Sequence, residues 1–355
     1  MIQKKQVFRL HRIELPRQIV VGEGVISLTG EISKELGFSD SAAIVTGPNV
    51  VKVARIVEES LQEASFNVSM VEGTSATLEE AERVREFIHE TKPEIVMGVG
   101  GGKSVDLAKY AATKENLFFF SIPTAASHDG ISSPFCSIKG ENTRHSVIAK
   151  TPLAIIGDTE IIAKAPRKLL ASGCADLVAK LTAVKDWQLA HRLKNEPLSE
   201  SAASLALLAS QMIFDEADTI KVNAVESART VLKALISSGV AICIAGSSRP
   251  ASGSEHLFSH ALDIIAPKPA LHGEQCGVGT IMMEFLHGGD WKRVKETLRK
   301  VGAPTTAKEL GINPEHIIEA LKIAHTLRPE RYTILGKEGL THEAAVKLAT
   351  ITGVI

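Results

Sequence analysis

Five short apolar runs, separated by stretches long enough for helices, fill the first 125 residues and constrain the fold more than any other feature. The runs are Gln18–Val21, Ala42–Thr46, Asn67–Val71, Ile95–Val99 and Phe118–Ile122. Amphipathic stretches near Val25–Leu36, Val50–Ala64, Leu78–Thr91 and Ser104–Thr113 read as helices between them. Pro48 beside Asn49 suits the opening turn of the second helix, and Thr77 with Glu80 resembles a capping box for the third. Apolar strands alternating with helices predict an α/β, doubly wound parallel sheet of Rossmann-like type. In such sheets ligands bind beyond the carboxyl ends of the strands, where the strand order reverses.

Residues 128–160 break the rhythm with Gly, Ser, Pro and charges, and read as a hairpin or loop excursion. From about Ala165 helical spacing takes over, in Leu177–Leu193, Ser199–Thr219, Glu226–Cys243, Ser254–Ile264, Gly277–Leu286, Trp291–Val301, Pro314–Thr326 and His342–Thr350. The expected organisation is therefore a nucleotide-binding α/β domain over residues 1–164. The remainder, residues 165–355, reads as an all-helical domain.

Charge and composition exclude several partners. Forty Lys plus Arg against 41 Asp plus Glu give a net charge of -1, with no basic surplus for a nucleic-acid backbone. No apolar run approaches the ~20 residues of a membrane span, and the charged stretch Met1–Arg12 has no signal-peptide core. Cys136, Cys174, Cys243 and Cys276 form no CxxC pair, so the expectation is a reducing cytoplasm, with neither a disulfide frame nor a thiolate metal site. Only 4% of residues are aromatic, so the core must be packed with aliphatic and small side chains.

The densest chemical signal is Gly98-Val99-Gly100-Gly101-Gly102-Lys103-Ser104, directly after a strand and opening a helix. Glycines let the backbone approach a ligand, and free amides at a helix start favour a pyrophosphate. A P-loop would need Gly where Met97 stands, and the G-x-G-x-x-G fingerprint started at Gly98 meets Lys103 in place of its last Gly. Further on, His256 and His260 share one helix face and His272 follows after a Pro-containing break. Imidazoles with one carboxylate make a workable Zn²⁺ set with an open position for substrate. Spacing leaves that carboxylate open among Asp176, Glu255, Asp263 and Glu274.

The stretch from Gly100 to Lys109 resembles the GGGSxxDxAK segment of the metal-dependent polyol dehydrogenases. That superfamily includes iron-type alcohol dehydrogenases, glycerol dehydrogenase, dehydroquinate synthase and sn-glycerol-1-phosphate dehydrogenase. Ile122–Gly130, Gly173–Asp176, the pair Glu255-His256 with His260, and His272-Gly273 fit in the same order. The string from Thr124 to Pro134 is most similar to the archaeal glycerol-1-phosphate dehydrogenases.

The resemblance implies one Zn²⁺ per subunit on Asp176, His256 and His272, with Asp129, Asp176 and His260 against the substrate. Asp129 and His260 would orient hydroxyls or relay a proton. It further implies a cofactor site from Gly101, Gly102, Lys103, Ser104, Val105, Asp106, Thr124, Ala125, Ala126, Ser127 and Ser133. Iron-type relatives carry a His four residues after the Asp; here that residue is Lys180, which favours three protein ligands and zinc. Neutral Asn49, where NAD-selective enzymes place an acid, admits NADP as well as NAD.

The implied reaction is reversible reduction of dihydroxyacetone phosphate to sn-glycerol 1-phosphate, for the backbone of archaeal membrane lipids, by a homo-oligomer. Glycerol dehydrogenase activity, a dehydroquinate-synthase-like lyase and a non-enzymatic nucleotide-binding role are the alternatives. Lys139, Arg144, His145 and Lys150 are the candidates for a substrate-phosphate cradle.

Overall fold

The computed structural model describes residues 12–140, 144–220 and 224–355. The N-terminal half contains strands β1 (Gln18–Gly22), β2 (Ser41–Thr46), β3 (Asn67–Glu72), β4 (Ile95–Gly100) and β5 (Phe118–Pro123). Helices α1 (Thr29–Glu35), α2 (Val51–Glu63), α3 (Leu78–Thr91) and α4 (Gly102–Lys114) alternate with them. A short hairpin, β6 (Phe135–Lys139) and β7 (Arg144–Ile148), precedes β8 (Ala154–Asp158) and α5 (Thr159–Ala163). The remainder is helical: α6 (Arg167–Lys194), α7 (Glu200–Glu216), α8 (Ala224–Ala245), α9 (Ser254–Ile265), α10 (His272–Leu286), α11 (Trp291–Val301), α12 (Ala307–Leu310), α13 (Pro314–Ile323) and α14 (His342–Ile351).

The six long strands pair in parallel in the order β1-β8-β5-β4-β2-β3. From β2 the chain steps outward to β3, then returns to place β4 on the other side. The order therefore reverses between β2 and β4, and the turns leaving those two strands flank one crevice. Ile44, Met97, Phe120 and Ile156 pack on one sheet face with α2, while Val45, Val96 and Phe119 pack on the other with α3 and α4. A third cluster joins the halves: Ala126 and Ile155 share a core with helices α6 to α14.

Several expectations shift. The excursion assigned to residues 128–160 contains β8, which lies inside the sheet between β1 and β5; a five-residue strand flanked by Pro152 and the capping Asp158 gave little periodicity to detect. Glu80 does not close a capping box. Thr77 accepts from the Glu80 N–H, but the Glu80 carboxylate reaches the Thr74 N–H at 2.8 Å instead. Helix α8 is long and apolar enough to cross a bilayer, contrary to the expectation that no such stretch exists; most of it is buried, against α5, α6 and α7.

Two helices begin earlier than their spacing implied: α6 starts at Arg167 and α10 at His272, and the glycines in these early turns are sites of close helix packing. A Cβ on Gly273 would lie 2.0 Å from the Ser172 carbonyl oxygen, and one on Gly277 2.9 Å from the Ala175 Cβ.

Candidate active site

The four glycines of the run have four different surroundings. A Cβ on Gly98 would press at 3.0 Å on Ala108 and Val105, so α4 sits directly on β4. Gly100 adopts φ +154°, a backbone region that side chains avoid. Gly101 precedes the first turn of α4, and a Cβ there would meet nothing within 4 Å. Gly102 faces His128, whose Nε2 would be 2.0 Å from an added Cβ. The open space lies over Gly101, beside the unpaired first amides of α4, which is the arrangement a pyrophosphate requires.

The turn after β2 closes the other side of this crevice. A Cβ on Gly47 would be 3.3 Å from the Ser104 Oγ, and Asn49 is exposed beside it. Ser104 and Val105 are buried, Lys103 is exposed, and the Thr124 N–H donates to the Gly100 carbonyl at 2.9 Å. The segment Thr124–Ser127 thus runs from the glycine loop to α6, where the Ala126 carbonyl oxygen would lie 2.1 Å from a Cβ on Gly173.

Asp106 and Ser133, assigned to the cofactor by resemblance, have evident structural posts. The Asp106 Oδ2 accepts from the Ser137 N–H at 3.1 Å, fastening β6 to α4. Ser133 is buried, and its carbonyl accepts from Lys109, whose fully buried ammonium also binds the carbonyls of Gly130 and Phe135. Lys109 is therefore a clip that fixes the chain just after Asp129.

On the helical side, three helices converge. Asp176 comes from α6, His256 from α9, and His272 with Cys276 from α10, and their donor atoms all lie within 4.8 Å of one another. The His256 Nε2 is 3.4 Å from the Asp176 Oδ1. Both imidazoles are oriented from behind: the His256 Nδ1 is 2.8 Å from the Glu255 Oε1, and the His272 Nδ1 is 3.1 Å from the Ser259 Oγ. Tying Nδ1 in this way presents Nε2 as the ligating atom, a recurrent feature of histidine metal sites. Zinc bonds of about 2.0–2.3 Å meeting at a tetrahedral angle separate nitrogen and oxygen donors by about 3.3 Å. The donor set and its spacing fit Zn²⁺.

Of the four carboxylates left open by spacing, Asp176 is the one in the four-donor group. Glu255 buttresses His256, Asp263 accepts from Gln275 at 3.1 Å, and Glu274 caps α10 through the Leu271 N–H at 3.1 Å. His260 is not part of the four-donor group. Its ring stacks on His272 with centroids 5.7 Å apart, half-exposed at the edge of the site.

Lys180 is fully buried one turn along α6, with its Nζ 2.9 Å from the Asp129 Oδ2, 3.0 Å from the Asp176 Oδ1 and 3.3 Å from the Ala251 carbonyl. Ser238 also donates to the Asp129 Oδ2, at 2.9 Å. Burial on its own would push the Asp176 carboxyl up, but the Lys180 ammonium and the His256 and His272 rings hold it well below the usual carboxylate range. Burial would likewise lower the Lys180 ammonium, but Asp129 and Asp176 lift it above the ordinary lysine value. Burial pushes the Cys276 thiol up.

Of the phosphate-cradle candidates, Lys139 and Lys150 lie away from this site. The Lys150 ammonium binds the Asn116 Oδ1 at 2.7 Å and the Leu117 carbonyl at 3.3 Å, at the amino end of β5, away from the carboxyl-end crevice. Lys139 is exposed and its N–H donates to the Ala76 carbonyl beside α3. The side chains of Arg144 and His145 lie outside the described residues.

Cys276 is the donor that the spacing argument missed, and it revises the expectation that no thiol faces a metal. The signal was present as His272 and Cys276 four residues apart, but it was hidden by reading the helix as starting at Gly277.

Residues 20–166 match the family described as iron-containing alcohol dehydrogenase. A Methanothermobacter thermautotrophicus protein named glycerol-1-phosphate dehydrogenase (NAD(P)+) is 57% identical over 345 residues, covering 97% of this chain and 99% of that protein. The chain belongs to the glycerol-1-phosphate dehydrogenase family. A family member from Pyrococcus furiosus is 52% identical, covering 98% of this chain and 100% of that protein. Among solved structures, glycerol dehydrogenase from Schizosaccharomyces pombe superposes with a TM-score of 0.80 at 22% identity, covering 96% of this chain and 90% of that one. NADH-dependent butanol dehydrogenase A from Thermotoga maritima gives 0.75 at 19% identity, covering 97% and 98%. These two likenesses establish the shared fold.

Proposed function

We propose that this chain catalyses the NAD(P)-linked interconversion of dihydroxyacetone phosphate and sn-glycerol 1-phosphate with one Zn²⁺ per subunit, making the glycerophosphate backbone of archaeal membrane lipids. The observation that carries it is the convergence of Asp176, His256 and His272, at the end of a segment that starts from an open glycine loop. The relatives named glycerol-1-phosphate dehydrogenase (NAD(P)+), all above 50% identity, disfavour the unphosphorylated-polyol and lyase alternatives.

The residues divide the work. The amides of Gly102, Lys103 and Ser104 hold the cofactor pyrophosphate, and the segment Thr124 to Ser127 lines the path to the metal site. Neutral Asn49 beside that crevice accepts a 2′-hydroxyl or a 2′-phosphate, so both NAD and NADP are used. Asp176, His256 and His272 hold the zinc, Lys180 being bound to Asp129, Asp176 and Ala251. When bound, the zinc supplies Lewis acidity toward the substrate oxygen and the nicotinamide supplies the reducing equivalent. Asp129, fixed by Lys180 and Ser238, orients the substrate hydroxyls. His260, half-exposed against His272, passes a proton between the substrate oxygen and solvent.

The same reading takes residues 1–164 as the nucleotide domain and 165–355 as the metal and substrate domain, in a cytoplasmic homo-oligomer. The test is NAD(P)H oxidation with dihydroxyacetone phosphate against dihydroxyacetone, followed by chiral analysis of the product. A preference for the phosphorylated ketone with sn-glycerol 1-phosphate as product is expected. Equal rates on the two ketones would overturn the substrate assignment.

A further inference from the structure

The cofactor reading leaves one ring at the glycine loop without a task. His128 is part-exposed on the segment between that loop and Asp129. It caps the short turn Asp129–Ile131, its Nδ1 accepting from the Gly130 N–H at 2.9 Å. Among the described residues this is the ring's only hydrogen bond. A ring nitrogen that accepts from a backbone N–H carries no proton, so the neutral imidazole holds its proton on Nε2. Nε2 is the tip that meets α4: a Cβ on Gly102 would lie 2.0 Å from it, against 2.9 Å from Cδ2 and 3.1 Å from Cε1. A Cβ on Gly130 would strike the other end of the ring, 2.5 Å from Nδ1. The ring is therefore seated between two glycines, and a side chain on either would displace it. Its donor ends at the first residue of α4, beside the open space over Gly101 and the unpaired first amides of that helix.

We propose that His128 is a cofactor-binding residue, its Nε2–H donating to a phosphoryl oxygen of the NAD(P) diphosphate held on the α4 amides. This rests on the cofactor-site reading above and adds a side-chain donor to a cradle otherwise built of backbone. A neutral, directional donor fixes the diphosphate in one orientation, where a flexible ammonium such as that of the exposed Lys103 only attracts it. The same ring holds Gly130, the residue after Asp129, so the diphosphate and the chain that carries the substrate carboxylate are anchored to one side chain.

The test uses the full chain in a fluorescence titration with NADH. The competitors are ADP, which keeps a diphosphate, and adenosine, which lacks it. His128→Asn is the decisive variant: the short Asn carbonyl still accepts from the N–H two residues on, but its amide does not reach Gly102. It should bind NADH and ADP about tenfold or more weakly, with adenosine affinity and the KM for dihydroxyacetone phosphate at saturating cofactor unchanged. Wild-type affinity for ADP in His128→Asn, or an equal loss for ADP and adenosine, overturns the proposal. A raised KM for dihydroxyacetone phosphate with cofactor affinity intact also overturns it, and moves the donor to the substrate phosphate. A second measurement needs no variant. Carbethoxylation of His128 by diethyl pyrocarbonate in the wild type, read by peptide mass spectrometry, should be slowed by ADP and not by adenosine. Equal rates with and without ADP overturn the proposal. Gly101→Ala separates this proposal from the reading beneath it. If that variant also keeps its NAD(P)H affinity, the loop is not the cofactor site and the role of His128 falls with it. If it weakens binding while His128→Asn does not, the cofactor site stands and only the histidine donor is overturned.

Discussion

Lys180→Met tests how the site is held together. Methionine keeps the length of the buried stem and deletes the ammonium, which sits 2.9 Å from Asp129 and 3.0 Å from Asp176. Those two carboxylates then face each other within about 6 Å without a counter-charge. At an effective dielectric of about 20 that repulsion is about 3 kcal/mol. Breaking a buried ion pair by removing one partner costs about 3–5 kcal/mol by general experience, so the two estimates agree. The assay is denaturant unfolding followed by fluorescence, in chelator and again in saturating zinc. In chelator, the variant should be about 3–5 kcal/mol less stable than wild type. Zinc should shrink that gap, because removing a neighbouring cation strengthens metal binding and a tighter ligand stabilises the folded chain more. Adding Asp129→Asn to the variant should restore part of the loss. A cost in chelator below about 1 kcal/mol, or a gap that zinc does not narrow, would refute the reasoning.

Gly101→Ala should fold like the wild type, since φ is -75° and the new methyl meets nothing, yet weaken NAD(P)H binding in a fluorescence titration by filling the space over the loop. Unchanged affinity would remove that loop from the cofactor site. Gly173→Ala drives a methyl against the Ala126 carbonyl and should lower stability by about 3 kcal/mol or more by thermal or chemical unfolding, whereas a neutral result would show that α6 does not rest on that segment. Glu80 is held at about 2, against 4.5 unperturbed, first by its bond to Arg83 and then by the Thr74 N–H. Its folded value is the lower one, so this support is complete above pH 4.5 and lost as the pH falls toward about 2. The stability difference between wild type and Glu80→Gln should therefore close over that range, and a difference independent of pH would count against the bond.

The sheet was legible because most of its strands carry short apolar runs and its helices are amphipathic; Leu78–Thr91 and Trp291–Val301 match the structure residue for residue. β8 was not legible, because its short run Ala154–Gly157 follows a stretch of Gly, Ser, Pro and charges and was absorbed into the loop excursion. The metal site was partly legible. The spacing of His256 and His260 drew attention to α9, but the donor group pairs His256 with His272, and His260 stands outside it. Asp176 could be chosen only by resemblance or by geometry, as its neighbours in space are distant in sequence. Cys276 was concealed because the helix was read as starting at Gly277, one residue beyond it, whereas Gly273 and Gly277 are contact points against α6 inside α10.

The central claim is that the Asp176–His256–His272 centre holds the zinc on which dihydroxyacetone phosphate reduction depends. The direct measurement is NAD(P)H oxidation with that ketone by enzyme stripped of metal, then titrated with zinc, for the wild type and for His272→Ala. The account predicts loss of turnover on stripping and recovery at one zinc per chain. In His272→Ala it predicts no recovery while NAD(P)H still binds. Full turnover by wild-type enzyme verified free of metal, or wild-type turnover by the variant, would contradict it.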